Sequence, residues 1–411
     1  MTRVSCNGVA ETAGAASRCG TAACAAPRCR PAGDGVSVIE LSTTVSEARL
    51  HVPTETVTVE LRERSYPIVI GADLLADLGN RLRALQLDAK IAVVTNPIVG
   101  QLYSARLVDG LSAAGFKPTV IEIPAGEEHK NFAWLTFLYD RLLAARMERR
   151  SAIVALGGGV IGDLAGFAAA TFLRGVPLVQ VPTTLLAQVD ASVGGKTAIN
   201  HPGGKNLIGA FYQPRLVLID VGTLRSLPRR EFVAGLAEVI KYGVILSPEL
   251  FDLLEQELAR VLALDAALLT EIIRVACTLK AMVVGEDERE MGLRSILNFG
   301  HTLGHAVESL TEYKRFLHGE AVAIGMAFAA RLSHGRGHCS EATAARVVRL
   351  LKRAGLPVEI PRQVLGRHLA LAIEADKKVS GGKIKFVCIS EIGRTLFDQL
   401  GAAEIAQSAM R

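Results

Sequence analysis

Aromatic side chains are scarce in this chain: Phe, Trp and Tyr make up 5% of its 411 residues, with a single Trp. Small aliphatic residues take their place, which suits packed α/β layers and helix bundles better than a β-sandwich. Long apolar runs are missing as well. Half of the residues are hydrophobic and the mean hydropathy is +0.31. Yet Gly, Asp, Arg or Lys interrupts every stretch before the roughly 18–20 residues that a bilayer span needs. There is no Lys/Arg block of the nucleic-acid-binding kind; the net charge of +5 is dispersed and fits a small anionic ligand better. A disulfide framework is absent too. Cys6, Cys19, Cys24 and Cys29 lie in the first thirty residues, and Cys277, Cys339 and Cys388 are scattered. The expected setting is therefore reducing and cytoplasmic, with neither a membrane nor a nucleic acid as partner.

Residues 1–52 are rich in Ala, Gly, Ser, Thr and Cys without a sustained period, and are expected to be a disordered extension. They hold no continuous apolar core of a secretory signal. Glu11, Asp34 and Glu40 count against a transit peptide, and the cysteine spacings match no zinc pattern. Folded sequence begins near Val57, where V-T-V-E-L-R-E (57–63) alternates as a strand and P-I-V-I (67–70) follows. Helical and strand patterns then take turns: helix 74–87, strand 91–95, helix 104–114, strand 119–123, helix 132–146, strand 152–156. This predicts right-handed βαβ units and a parallel sheet over residues 53–222. After the strand L-V-L-I-D ending at Asp220, long helical periods dominate, so residues 223–411 are expected to form a mostly α-helical second domain.

The strand A-I-V-A-L runs into Gly157-Gly158-Gly159-Val160-Ile161-Gly162-Asp163 ahead of a helix. Glycines at such a turn let the backbone approach a phosphate, and the helix N-terminus offers free N–H groups. The cluster is not the G-x-G-x-x-G fingerprint, and alone it also fits a packing-driven turn. Two neighbours support the ligand reading. Pro124 to Lys130 follows another strand and offers Glu127 for ribose hydroxyls and Lys130 for ring or phosphate oxygens; Thr183 and Thr184 end the strand P-L-V-Q-V. Each alone is also a helix cap. Together they outline one dinucleotide-sized crevice.

D-A-S-V-G-G-K-T (190–197) lacks the first glycine of a Walker A loop, its place being taken by Asp190. Asp190, Lys196, Lys205 and Asn206 read as a clamp for oxyanions and hydroxyls, with a solvated basic loop as the plainer alternative. Histidines concentrate between Leu297 and Val322, where His301, His305 and His318 sit among small and apolar residues of helical texture. Upstream, Glu238 in A-E-V-I-K-Y-G reads as a buried acid that shares a helix face with Lys241. Imidazoles and a carboxylate converging from separate segments suit a divalent metal with an open position. His301 and His305, four apart, could also chelate one ion from a single helix. Lys280, the acidic turn G-E-D-E-R-E, Arg294 and Asn298 lead into this stretch, and Asp376-Lys377-Lys378 is either a solvated charge run or the closure of a phosphate site.

These residues together resemble the sugar-phosphate cyclase superfamily, and within it the 3-dehydroquinate synthase family. The signatures are G-E-E-H-K (126–130), G-G-G-V-I-G-D (157–163), Q-V-P-T-T-L-L-A-Q-V-D-A-S-V-G-G-K-T-A-I-N (180–200), G-L-A-E-V-I-K-Y-G (235–243), G-L-R-S-I-L-N-F-G-H-T-L-G-H-A-V-E (292–308) and H-G-E-A-V (318–322). The likeness runs from about Val57 to the end and leaves out the first fifty residues. It implies an N-terminal Rossmann-like NAD domain and a C-terminal helical metal-binding domain, with the active site between them and a homodimer as the assembly.

The implied ligands of one Zn2+ or Co2+ are Glu238, His301 and His318, which leaves His305 for the substrate phosphate. NAD would be held by Ala125, Gly126, Glu127, Glu128, His129 and Lys130, by Gly159, Val160, Ile161, Gly162 and Asp163, by Thr183, Thr184, Lys196 and Lys205, and by Thr223, Leu224, Arg225 and Ser226. Asp190, Lys196, Asn206, Lys241, Lys280, Arg294, Asn298 and Lys378 would surround the substrate, with Arg174 reaching in from a second subunit.

The implied reaction converts 3-deoxy-D-arabino-heptulosonate 7-phosphate to 3-dehydroquinate and phosphate. It runs by transient oxidation with NAD, phosphate elimination, reduction and intramolecular aldol closure. Arg294 and Lys280 offer a fork and a point charge for a carboxylate, which favours this branch over cyclases of carboxylate-free sugars. Two departures are mild: Ala191 stands where Ser is expected, and Thr223 where an aromatic is common. The alternatives are another sugar-phosphate cyclase, a metal-dependent polyol dehydrogenase, which would consume NAD stoichiometrically, and a non-catalytic binding protein, which loss of a ligand or of Lys196 would favour.

Overall fold

Apolar, β-branched runs such as K-I-A-V-V-T and A-I-V-A-L-G are buried on both faces, as strands sandwiched between helix layers must be. The computed structural model describes residues 53–376 and 383–410. The 1–52 extension and Lys378 therefore lie outside the described residues. The elements run β1 (Glu55–Val59), β2 (Tyr66–Gly71), α1 (Leu78–Arg83), β3 (Lys90–Thr95), α2 (Pro97–Ala113), β4 (Lys117–Glu122), α3 (Phe132–Ala144), β5 (Ala152–Gly157) and α4 (Gly159–Thr171). Next come β6 (Leu178–Pro182), β7 (Lys196–His201), β8 (Gly204–Phe211), β9 (Leu216–Asp220), α5 (Arg229–Leu246), α6 (Pro248–Leu262) and α7 (Ala266–Glu286). The chain ends with α8 (His301–Leu310), α9 (His318–Gly335), α10 (Glu341–Arg353), α11 (Arg367–Asp376), β10 (Ile384–Glu391), β11 (Arg394–Leu400) and α12 (Ala402–Ser408).

Seven strands form one sheet in the order β1-β2-β9-β6-β5-β3-β4. It is parallel except for β1, which pairs antiparallel with β2 at the edge. Alternate residues of β3 face opposite layers. Ala92 and Val94 pack with Leu135, Leu138 and Leu164 of α3 and α4, while Ile91 and Val93 pack with Leu78, Leu107 and Leu111 of α1 and α2. The C-terminal ends of β4, β5, β6 and β9 lead into the segments starting at Ile123, Gly158, Thr183 and Val221. That edge is where ligands bind in such sheets.

The expected parallel sheet and the helical C-terminal half are both present. Several features differ from the expectation. The helix expected over 104–114 begins earlier, at Pro97, with Asn96 capping it. The helix expected over 74–87 is a 3-10 turn (Leu75–Asp77) followed by the short α1. Residues 196–211 are the antiparallel hairpin β7–β8, not loops, so Lys196, Lys205 and Asn206 sit on a small rigid ribbon. Its buried and exposed positions alternate over K-T-A-I, a period-2 signal masked by the glycines and lysines around it. A second hairpin, β10–β11, interrupts the helical half.

Small residues set how closely the helices of that half approach. A Cβ on Gly319 of α9 would overlap the Ala234 carbonyl of α5, and one on Gly325 would overlap the Gly300 carbonyl just before α8. A Cβ on Gly304 would sit 3.1 Å from the Ala321 carbonyl oxygen. Bare backbone thus lets α5, α8 and α9 meet. Gly319→Ala should push α9 away from α5 and destabilise the fold by about 2 kcal/mol or more, in the range of overpacked cores. A thermal melt reads the stability.

Candidate active site

The packing of α5, α8 and α9 brings three ligand-type side chains together. Glu238 of α5, His301 at the start of α8 and His318 at the start of α9 offer ligand atoms within 4.8 Å of one another. Glu238 is fully buried, and neither of its carboxylate oxygens has a hydrogen-bond partner, although Lys241 Nζ lies against Oε2. Both imidazoles are oriented from behind. His301 Nδ1 lies 3.1 Å from the Phe299 carbonyl, and His318 Nδ1 lies 3.1 Å from Glu308 Oε2. Their Nε2 atoms face Glu238 Oε1 at 3.5 and 3.7 Å. A carboxylate behind a histidine fixes the tautomer that a metal requires. Burial, with Lys241 adding to it, pulls the His301 pKa well below the ordinary imidazole value. Burial opposes charge on His318 too, but Glu238 and Glu308 outweigh it and raise its pKa to about 10.

His305 joins the same cluster, its ring centroid 5.3 Å from that of His301 and 6.0 Å from that of His318. His305, Glu308 and His318 form a second set within 4.8 Å. A third set, His338, Cys388 and Asp398, is already neutralised: Arg336 Nε and His338 Nε2 share one Asp398 oxygen at 2.6 and 3.0 Å. Burial pushes the Cys388 thiol up to about 11, away from the thiolate that a metal prefers.

Buried cations line the approach to Glu238. Asp190 lies in a π-helical turn, Ala187–Ala191, a conformation favoured at functional sites. Lys280 Nζ donates to the Asp190 carbonyl and to Oδ1, both at 2.5 Å, and the Tyr242 hydroxyl donates to Oδ1 at 3.0 Å. Burial would raise the Asp190 pKa, yet Lys280 and Lys241 hold it well below the usual carboxylate range. Arg294 is 2% exposed. Its Nη1 donates to the Glu288 carbonyl at 2.5 Å and its Nη2 to the Gly194 carbonyl at 3.3 Å. Gly194 has φ +91°, and a Cβ there would stand 2.6 Å from Arg294 Nη2, so only glycine permits this approach. Asn298 Nδ2 donates to Glu290 Oε1 at 2.7 Å, and Lys196 pairs with the same carboxylate.

The dinucleotide-type crevice assembles at the sheet edge. Gly158, with no capping side chain, precedes α4, so the first N–H groups of that helix stay available. Gly157 pairs with Pro182, which brings Thr183 and Thr184 beside the glycine turn. Lys130 Nζ lies 2.5 Å from Asp163 Oδ2 and 2.5 Å from Asn206 Oδ1, and 3.8 Å from Glu127 Oε1. Burial outweighs Lys130 and raises the Asp163 pKa. Asn200 Nδ2 reaches Glu127 Oε1 at 2.8 Å. Residues 223–226 lie at the end of β9, where the Thr223 hydroxyl donates to the Asp220 carbonyl at 2.7 Å. Lys205 Nζ lies 3.6 Å from Glu308 Oε1 and 4.2 Å from the Tyr313 ring centroid.

Among the described residues, the sequence-predicted ones largely cluster in one region; Arg174 does not. Arg174 sits in the exposed turn beyond the far end of α4 from Gly159, roughly 18 Å along the helix at 1.5 Å per residue. Four participants were missed by sequence reasoning: Asn200, Tyr242, Glu290 and Glu308. Glu308 ends the G-H-A-V-E string and Glu290 belongs to the acidic turn, so both were visible but resembled solvated acids.

A parallel sheet with a glycine-led crevice at its C-terminal edge, beside a carboxylate–imidazole cluster on packed helices, is the architecture of a two-part α/β enzyme. The comparisons narrow that class. The family models described as 3-dehydroquinate synthase N-terminal and C-terminal match residues 120–234 and 235–379. A 3-dehydroquinate synthase from Pelobacter propionicus is 56% identical over 348 residues, 85% of this chain and 97% of that protein. The structure of a 2-deoxy-scyllo-inosose synthase with carbaglucose-6-phosphate, NAD+ and Co2+ is similar with a TM-score of 0.77 at 26% identity, covering 86% of this chain and 99% of the other. A 2-epi-5-epi-valiolone synthase from Streptomyces hygroscopicus with NAD+ and Zn2+ gives a TM-score of 0.76 at 31% identity, covering 85% and 97%. The chain belongs to the 3-dehydroquinate synthase family.

Asp287 organises the loop that carries Arg294. Its carboxylate accepts from the N–H groups of Met291 at 2.9 Å, Gly292 at 2.7 Å and Arg294 at 3.0 Å. Burial would raise its pKa, but these donors outweigh it and lower the pKa. A depressed folded pKa means that the carboxylate stabilises the fold above its unfolded pKa, and that this is lost as pH falls through the folded value. Proteolysis of residues 287–293 should therefore accelerate below about pH 4, and Asp287→Ala should show the fast cleavage at neutral pH as well.

Proposed function

We propose that this protein is a 3-dehydroquinate synthase, which converts 3-deoxy-D-arabino-heptulosonate 7-phosphate to 3-dehydroquinate and phosphate. The observation that carries the reading is the fully buried Glu238 carboxylate, paired with Lys241 and facing the Nε2 atoms of His301 and His318. Two imidazoles and one carboxylate with an open side are a catalytic, not a structural, donor set for a divalent ion. Glu238, His301 and His318 would hold Zn2+ or Co2+. The glycine turn at 157–163, Lys130, Glu127, Thr183 and Thr184 would hold NAD, with residues 125–129 and 223–226 along the crevice and Lys196 and Lys205 at its end. When bound, NAD supplies a reversible hydride acceptor and the metal polarises the carbinol oxygen being oxidised.

The chain's own side chains bind, orient and shield. Arg294 presents a planar fork suited to the carboxylate of the keto acid, while Lys280 and Asp190, already paired at 2.5 Å, position ring hydroxyls. Lys196, Asn206, Asn298 and His305 surround the phosphate, whose departure as an anion is eased by nearby positive charge. Lys241, buried against Glu238, would donate to a ring oxygen. Burial of these groups excludes water during closure of the carbocycle.

We further read residues 53–222 and 223–411 as the nucleotide and metal domains. The exposed Arg174 is assigned to the neighbouring active site of a homodimer, and the protein to the cytoplasm. Among the described residues no helix is long and apolar enough to cross a membrane.

Phosphate release from the heptulosonate phosphate tests this reading. Wild-type protein should release it without net NADH absorbance, and chelation or His318→Ala should cut the rate by at least about a hundredfold. Full activity in both the chelated protein and the variant would refute the metal assignment. Turnover of a carboxylate-free sugar phosphate alone would move the protein to another cyclase branch.

A further inference from the structure

Tyr66 opens β2 and is 1% exposed. A phenol buried this deeply needs a polar partner for its hydroxyl, and it finds one outside the sheet: the Gly194 N–H donates to it at 3.0 Å. Burial pushes the Tyr66 pKa up against the pull of that N–H and of the Arg294 charge, so the hydroxyl stays neutral. No step of the proposed reaction calls on this side chain.

Gly194 stands between Asp190 and Lys196, two groups proposed for the substrate. Its φ is +91° and that of Gly195 is +68°, so two successive residues occupy a region that glycine enters freely. Such a pair has no side chains of its own to fix the turn, and hydrogen bonds from outside do so instead. The Tyr66 hydroxyl takes the Gly194 N–H on one side, and the Tyr212 N–H donates to the Gly195 carbonyl at 2.7 Å on the other. Between these tethers lies the Gly194 carbonyl, which accepts from Arg294 Nη2 at 3.3 Å. Among the described residues Arg294 donates otherwise to the Glu288 carbonyl, through Nη1, and its Nε has no partner. Two carbonyls therefore set the plane of this buried guanidinium, and one of them is held in place from β2.

We propose that Tyr66 is a positioning residue for carboxylate recognition: its hydroxyl pins the Gly194–Gly195 turn, so that the Gly194 carbonyl keeps the Arg294 fork aimed at the carboxylate of the keto acid. The inference rests on the proposed function and extends it to a side chain that acts only through its neighbours. A planar fork gains from its parallel N–H donors only when its plane and that of the ligand coincide. A small turn of the guanidinium therefore costs affinity at the carboxylate end. The phosphate end, gripped by other groups, keeps its affinity. Without the hydroxyl, the Gly194 N–H would be buried with no acceptor, and the turn would shift to find one.

The test compares wild type with Tyr66→Phe, which keeps the ring and its packing, both loaded with NAD and zinc. The two products of the proposed reaction separate the ends of the substrate: 3-dehydroquinate has the carboxylate without the phosphate, and inorganic phosphate is the reverse. Inhibition by 3-dehydroquinate should weaken about tenfold in the variant, the worth of one hydrogen bond to a charged group. KM should rise with it and kcat should change less, while inhibition by inorganic phosphate should stay within about twofold of wild type. Equal weakening for both products, or for neither, overturns the proposal, whatever the thermal melt shows. Hydrogen exchange on the wild type is the second measurement, and it needs neither the variant nor turnover. The Gly194 amide should be strongly protected, like the amides of the sheet; rapid exchange there overturns the tether. If wild type releases no phosphate from the heptulosonate phosphate, the proposed function fails separately, and the exchange rate still decides whether the turn is held.

Discussion

Burying the Glu238 carboxylate is the constraint around which the helical half is arranged. An ionised carboxylate removed from water costs several kcal/mol unless positive or hydrogen-bonding groups replace its hydration. Here Lys241, one helical turn along α5, lies against Oε2, and His301 and His318 face Oε1 from α8 and α9. Those imidazoles can face it only because the helix backbones nearly touch at Gly300, Gly304, Gly319 and Gly325. Larger residues at these crossings would improve local helix propensity and lose the cluster. Burial and Lys241 act in opposite directions on Glu238; with His301 helping, the positive surroundings win and hold its pKa at about 2.

The same logic extends outward as a series of internal charge pairs: Lys280 with Asp190, Lys196 with Glu290, Lys205 with Glu308 and Lys130 with Asp163. Each of these lysines is balanced by a nearby acid. Unpaired, these lysines would repel one another and pull the cleft open; paired, they stay extended and aimed. A substrate with two anionic ends then exchanges one set of ion pairs for another, and the net electrostatic gain is smaller than the number of cations suggests. Affinity in such a site comes from making several contacts at once.

Much of this was legible in the sequence because it rests on local periodicity. The runs at 91–95 and 152–156 became β3 and β5 within a residue or two, since buried parallel strands leave unbroken apolar runs. The helical texture around the histidines was legible too, although a break at Thr311–Leu317 places His318 at the start of its own helix, α9. The two hairpins were less visible. In β7–β8, Lys196 and Lys205 interrupt a short two-stranded ribbon, and the glycines needed for its turns look like loop residues. Glu290 and Glu308 were illegible for another reason. An acid on a loop or at a helix end is usually solvated, and only the three-dimensional fold reveals that these two face lysines and a histidine.

The hairpin that periodicity obscured is also what joins the two chemistries. Asn206 on β8 touches Lys130 beside the glycine turn. One residue earlier, Lys205 reaches Glu308, whose other oxygen holds His318 Nδ1. At the opposite end of the ribbon, Lys196 meets the loop that carries Arg294. A rigid ribbon does this better than a loop, because paired strands keep neighbouring side chains pointed to alternate faces. Lys205 and Asn206, adjacent in sequence, can then serve the helical cluster and the nucleotide crevice at once. Oxidation at one carbon, loss of a proton from the next and loss of phosphate from the one beyond require both centres within reach of a single small molecule. The β7–β8 ribbon supplies that spacing within sixteen residues, from Lys196 to Phe211.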